Sequence, residues 1–556
     1  MIHFDDKDQN ASLSKFRRKE QEYLAERLAN KHGLQYTDLS IIPINSNAVA
    51  MVPEEESRDA KVVVFNKVNK KINIAVLSPE IDKTKQLIKK LEGQGFLLEI
   101  FVVSEESLKN GWAIYKEFSK TEKSEEGSFS VSPERIKEIA ESLKDIASIT
   151  EKVEALINAK DTKRNTTYLL ELIMAGALSI EASDIHFEPG EESARLRYRL
   201  DGVLVQISAI PIDVYNFILS RIKLLSGLKL NASKAQDGRF SISFGELDIE
   251  IRSSIIPNAG SESIVLRILN PESIKVPLEE LGMHPKLLTI YQKEIKKPHG
   301  MILTTGPTGS GKTTTLYASL QKIYSDETKV ITIENPIEYH LDGIVQTQTD
   351  EKYGFAEGLR SALRQDPDVI MVGEIRDQET AETAINASLT GHLVFSTLHT
   401  NTAAGTFPRL IDLGVNPKII TSALNLSLAQ RLIRKLCSNC KKERETTEEE
   451  KEKINKILDN IKDKSYIEEI DNTNSVYGPV GCEKCNNLGY KGRVGIYEAI
   501  ISTEAVEKVI LGNPSEREIL EASQEQNIPN MLEDGILKVL NGITSLEELE
   551  SEVSLD

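Results

Sequence analysis

Residues 306–317 read Gly306-Pro307-Thr308-Gly309-Ser310-Gly311-Lys312-Thr313-Thr314-Thr315-Leu316-Tyr317. Gly306, Gly311, Lys312 and Thr313 satisfy the pattern G-x4-G-K-[ST], and the pattern has a physical reason. Glycines let successive backbone N–H groups turn toward one phosphate chain. The lysine adds a point charge at the β and γ phosphates, and the threonine hydroxyl is a ligand for Mg²⁺. With 32 glycines in 556 residues, chance gives roughly one such match per fifty chains. The flanks argue against chance. MILTT (301–305) reads as a buried strand, and TTTLYASLQKIY (313–324) reads as a helix. That is the strand–loop–helix setting in which Gly306 to Thr314 can wrap a phosphate.

Working outward, short apolar runs alternate with helical stretches: KVITIE from Lys329, DVIMVGE from Asp368 and HLVFSTL from His392. Such runs fit the buried parallel strands of an α/β sheet. An acidic residue at the end of a neighbouring strand is the expected second element. In DPDVIMVGEIRD (366–377) Glu374 stands there, where a carboxylate can order a metal-bound water or polarise an attacking one. A strand-end glutamate with no role is the bland alternative. In ITIENPIEYH (331–340) Glu334 and Glu338 flank a turn made by Asn335-Pro336. Two carboxylates beside a phosphate are costly unless a cation or a proton-transfer task balances them. GHLVFSTLHTN (391–401) puts His392 before a strand and His399 after it. A lone histidine is commonly structural, but His399 falls on the same sheet edge as the other groups and suits a γ-phosphate or sensor role.

Composition bounds the rest. The formal net charge is −18, with 40% hydrophobic and 28% charged residues. So acidic a chain is a poor whole-molecule fit to a duplex DNA binder, although a local basic groove is compatible with it. No run of about 18 apolar residues exists, and MIHFDDKDQN at the start does not read as a signal peptide. Residues 1–118 read as a small α/β module, with helical spacing at Tyr23, Leu24 and Leu28. Residues 119–134 have linker composition, and 135–270 read as a second unit of one long helix and short alternating strands. Residues 271–280, with Pro271 and Pro277, read as a second linker, and 281–556 as the nucleotide-binding domain.

The four cysteines form two CxxC pairs, Cys437/Cys440 and Cys482/Cys485. Two such knuckles complete a closed tetrahedral S4 site, which favours Zn²⁺ in a structural role. A redox CxxC and four unrelated buried thiols are the competing readings. The stretch from Lys441 to Ser465 is highly charged, reads as a solvated helix, and can loop out as a helical hairpin between the knuckles.

Taken together, these motifs resemble the secretion ATPases that power type II secretion and type IV pilus assembly. Their hallmarks are a Walker A loop, an Asp box, a Walker B segment with GEIRD and a His box with GHLVxSTLHT. All four occur here in order, beside SDIHFEP from Ser183, RYRLDG from Arg197, QDGRF from Gln236 and LAQRLIRKLC from Leu428. One departure is Asn335 where the family usually has Asp in its box, which leaves both Glu334 and Glu338 in place.

The resemblance implies an α/β fold with a RecA-like P-loop core (281–556), including a tetracysteine zinc subdomain (436–497) and C-terminal helices (500–556). A PAS-like α+β domain and an N-terminal docking module precede it. It also implies ATP, Mg²⁺ and Zn²⁺ as cofactors, and a homo-hexamer at the cytoplasmic face of an inner membrane. The partners it implies are a membrane platform protein and pilus or secretion components, with no nucleic acid. It implies further that the domain before the core supplies arginine to the γ-phosphate. Arg252 and Arg267, on strand-like stretches, are the candidates, with Arg239 a third. Family retraction motors normally lack the long N-terminal module and the four cysteines. This chain has both, so assembly or secretion is the expected work. A nucleic-acid-translocating or packaging motor is the alternative reading, and a non-catalytic nucleotide-binding scaffold a third. The family's repeated cyclic-di-GMP pattern, Arg-Leu-Gly-x-x-Leu, is not found.

Overall fold

The computed structural model describes residues 20–554 apart from 43, 50, 69–70, 116–132, 144, 160–165, 231–233, 245–246, 259–260, 271–274, 351, 469 and 471–472. Most of the first expected linker therefore lies outside the described residues, as does 271–274 of the second. The chain divides into two units, Met1–Leu269 and Asn270–Asp556.

The first unit holds two sheets. Strands Gln35–Tyr36, Leu97–Val102, Lys71–Val76 and Val62–Val68 form one, in that spatial order. Residues 20–32 are helical, and of the three expected apolar positions only Leu28 packs against the core. Ala25 and Ala29 are buried, while Tyr23 and Leu24 are 60% and 58% exposed. Alanine marks the inner face because the helix approaches closely, and size alone misled the periodicity. The second sheet is wholly antiparallel. Its order is Val203–Pro211, Ser193–Leu200, Asp184–Pro189, Glu262–Leu269, Leu247–Pro257 and Gln236–Phe244. Helix Thr166–Ser179, apolar on nearly all sides, is buried over most of its length.

The second unit is built on seven strands: Val345–Gln348, Val330–Glu334, Val369–Val372, Leu393–Leu398, Gly300–Thr305, Leu424–Leu436 and Tyr490–Ile501. The first six run parallel and the last is antiparallel. Four of the parallel strands are buried at every position, which is why they read as unbroken apolar runs. The register pairs Thr305 with Leu398 and Val372 with Ser396, so these strands end together on one edge.

The last two strands form a long hairpin whose closing segment is the cysteine region. The chain leaves at Leu436 and returns at the paired Tyr490. Between them, Lys442–Glu445 and Ser475–Gly478 form a two-stranded ribbon, and Glu448–Asn460 a helix with a Thr447/Glu450 capping box. This corrects the expectation of a solvated helical hairpin. Among the described residues the segment holds one α-helix, the ribbon and short 3-10 turns at Lys464–Tyr466 and Glu483–Cys485, and Ile454, Ile457 and Leu458 are buried in the main core of the unit. Among the described residues, no helix is long and apolar enough to cross a membrane.

Candidate nucleotide and metal sites

The P-loop follows strand Gly300–Thr305 and opens into helix Lys312–Ile323. Gly306 is obligatory on space alone, since a Cβ there would lie 2.4 Å from the Gln430 backbone oxygen. Lys312 sits at the helix N-terminus, and its Nζ donates to the carbonyls of Gly306 (2.9 Å) and Pro307 (2.8 Å). Its pKa is lowered by burial, which the charge of Glu374 opposes. A cavity of about 160 Å³ opens beside it, lined by Lys312, Thr313, Glu334, Glu338, Glu374 and His399 among others. The six residues come from four sequence segments, brought together because the parallel strands share one edge.

Glu374 stands two residues beyond strand Val369–Val372. The intervening Gly373 carbonyl accepts from the Thr397 hydroxyl at 2.8 Å, which fixes the turn. Its two oxygens face two bases, His399 Nε2 at 3.1 Å and an Arg376 guanidinium nitrogen at 2.6 Å. Arg376 lies in the GEIRD segment, yet the sequence reading gave it no role.

Glu334 is buried and accepts from the Thr332 hydroxyl (2.6 Å), Gln346 Nε2 (3.1 Å) and the Tyr317 hydroxyl. Burial raises its pKa, and the hydroxyl and amide donors act against that rise. Tyr317 belongs to the P-loop helix, so Glu334 ties that helix to the next strand. The Asn335-Pro336 peptide is cis, and Glu338 lines the cavity just beyond it. His392 lies at the other end of its strand, where Nδ1 is 2.9 Å from the Ala387 carbonyl and the His392 carbonyl accepts from Gly300 N–H. It takes no part in the cavity.

In the first unit, Arg252 pairs directly with Arg267 on one side and Arg239 on the other. The row continues through Asp184 to Arg199. Directly paired residues share a face, so five strands present one line of charge. Buried Asp184 holds Arg267 Nε at 3.0 Å and Arg199 Nε at 3.4 Å, and Arg252 Nε is 3.2 Å from Glu250. Alternation within each strand is legible in the sequence, whereas the register between strands is not.

At the hairpin end, the Sγ atoms of Cys437, Cys440, Cys482 and Cys485 all lie within 4.8 Å of one another. The Cys437–Cys482 separation is 3.9 Å, and those of Cys440–Cys485 and Cys482–Cys485 are 3.8 Å. A tetrahedron with metal–sulfur bonds of about 2.3 Å has edges of about 3.8 Å, and these three of its six edges match it, so the donor set fits Zn²⁺. Backbone N–H groups of Cys482 and Gly489 donate to Cys485 Sγ, as suits a thiolate. The Asn439 amide donates to Cys482 Sγ and is the first cause of that thiol's lowered pKa.

A largely parallel sheet with a phosphate loop, a strand-end glutamate and a histidine on one edge defines a RecA-like P-loop ATPase. The chain belongs to the family described as "Type II/IV secretion system protein", whose profile matches residues 159–551. It is 34% identical to the type IV pilus assembly ATPase PilB of Myxococcus xanthus over 545 residues, covering 97% of this chain and 92% of that protein. It is 44% identical to the type II secretion system protein E of Aeromonas hydrophila over 384 residues, 68% of this chain and 74% of that one. Among solved structures, the ATPase DotB of Yersinia pseudotuberculosis has the same fold. That likeness has a TM-score of 0.50 at 21% identity, over 72% of this chain and 95% of that one.

Proposed function

We propose that this protein is a hexameric motor that hydrolyses ATP at the cytoplasmic face of an inner membrane. It drives assembly of type IV pili or type II secretion pseudopili through a membrane platform protein. The observation that carries the reading is the convergence of Lys312, Glu374 and His399 on one cavity at the sheet edge. In this reading the backbone from Gly306 to Thr314 cradles the phosphates, and Lys312 exchanges its two loop carbonyls for β and γ phosphate oxygens. The Thr313 hydroxyl is the Mg²⁺ ligand. Glu374 orients the attacking water and receives its proton, while His399 holds the Glu374 carboxylate and senses the γ-phosphate. Glu334 and Glu338 form the second acidic wall. Arg252 and Arg267 supply the positive charge that a phosphoryl transition state needs. The four cysteines hold one Zn²⁺, which closes the end of the hairpin.

The test is ATP hydrolysis by the purified chain, with and without DNA. Lys312→Ala is expected to abolish turnover because it deletes the charge at the β and γ phosphates. DNA is expected to leave the rate unchanged. Near-normal turnover in Lys312→Ala would refute the site, and DNA stimulation would favour a nucleic-acid motor.

A further inference from the structure

The segment LAQRLIRKLC forms most of strand Leu424–Leu436 and leads into the first cysteine pair. One of its side chains reaches into the P-loop. Gln430 is 1% exposed. Its Nε2 donates to the Ser310 carbonyl at 2.6 Å, and its Oε1 accepts from the Thr315 hydroxyl at 2.8 Å. A carbonyl oxygen can only accept, so the Ser310 contact fixes which end of the amide faces the loop. Thr315, in the first turn of the P-loop helix, is buried as well.

A trans peptide holds its C=O and N–H antiparallel in one plane. Anchoring the Ser310 carbonyl toward strand Leu424–Leu436 therefore turns the Gly311 N–H the opposite way, toward the inside of the loop. That N–H is one of the donors a phosphate-binding loop uses. We infer that Gln430 is a positioning residue for phosphate binding: it orients the Ser310–Gly311 peptide and clamps it to the first turn of the helix. It does not touch the nucleotide. The inference rests on the reading of residues 306–314 as the phosphate cradle.

The test uses the full chain and Mg-ADP as probe, with affinity measured by calorimetry. Gln430→Met keeps the length and loses both hydrogen bonds, so the dissociation constant is expected to rise about tenfold. Gln430→Glu gives the sharper readout. As a carboxylate it repels the Ser310 carbonyl. Once protonated, its O–H donates there and its C=O still accepts from Thr315. Loss of the Lys312 proton weakens binding by every variant at alkaline pH, so the readout is the ratio to the unmodified chain at each pH. The deficit of Gln430→Glu is expected to be large near about pH 9 and to close toward about pH 6, while that of Gln430→Met stays constant. A merely structural loss would lower the melting temperature without that pH-dependent rescue. Unaltered affinity in Gln430→Met, or a Gln430→Glu deficit relative to the unmodified chain that does not change with pH, overturns the inference. If the unmodified chain itself fails to bind Mg-ADP, the cradle reading fails instead.

Discussion

Glu374 is where the chemistry of the cavity concentrates. A carboxylate with an imidazole on one oxygen and a guanidinium on the other is held in one orientation. A glutamine has the same shape but cannot take a proton from water. Glu374→Gln is therefore expected to bind ATP and lose turnover by about 10²- to 10⁴-fold. A nucleotide titration beside a single-turnover assay separates the two effects, and loss of binding would make Glu374 a structural residue. The same substitution has a pH consequence. Burial lowers the Lys312 pKa and the Glu374 charge opposes that change. Removing the charge lets the lysine lose its proton at lower pH, so the alkaline limb of nucleotide binding should move down in the variant. Glu334 shows how differently a neighbouring acid can be used. It is wrapped by three protein donors, and its ties are to the P-loop helix and an edge strand.

At the scale of elements, the cysteine hairpin makes the clearest case. Cys437 N–H donates to the Gly489 carbonyl at 2.9 Å, so the ladder of strands Leu424–Leu436 and Tyr490–Ile501 runs straight into the sulfur cluster. A metal there would pin the connecting end of the hairpin whose middle carries Gln430. Metal analysis of protein purified without chelator should find about one zinc per chain, and Cys482→Ser should lower both metal content and melting temperature. Metal content near zero would refute the S4 site. This region also marks the limits of sequence reading. The CxxC spacing made the cluster legible, because ligand number and chemistry are local. The chain between Cys437 and Cys482, 45 positions apart, was not. High charge density suggested a solvated helix, yet the stripe of Ile454, Ile457 and Leu458 is buried. Tyr23 and Leu24 misled in the opposite sense, as large apolar groups on the outer face of their helix. The buried strands and the phosphate loop read clearly because their signals are runs and fixed spacings. Gln430, Tyr317 and the arginine row did not, because each depends on which strand or helix lies alongside.

At the scale of the molecule, the charges divide between the units. Lys312, Glu374 and His399 lie in Asn270–Asp556, whereas Arg252 and Arg267 lie in Met1–Leu269. Asp184 is buried and already neutralises part of the row, but it serves Arg199 as well as Arg267. If the arginines act on the γ-phosphate, hydrolysis requires both units to act on one nucleotide, and the nucleotide's binding energy is what couples them. Arg252→Ala and Arg267→Ala should each cut turnover about a thousandfold, the scale of a lost arginine finger. ATP affinity should fall much less, because Lys312 and the loop still hold the β-phosphate. Mixed rings then show whose nucleotide each arginine serves. Lys312→Ala and Arg252→Ala chains are each inactive alone, and they regain activity together only if an arginine serves a neighbouring subunit. The two units follow each other directly in the chain, which keeps a chain's own arginines at high effective concentration, so no recovery is the expected result. Recovery would assign the arginine to the neighbour, and full activity of both single arginine variants would end the coupling hypothesis.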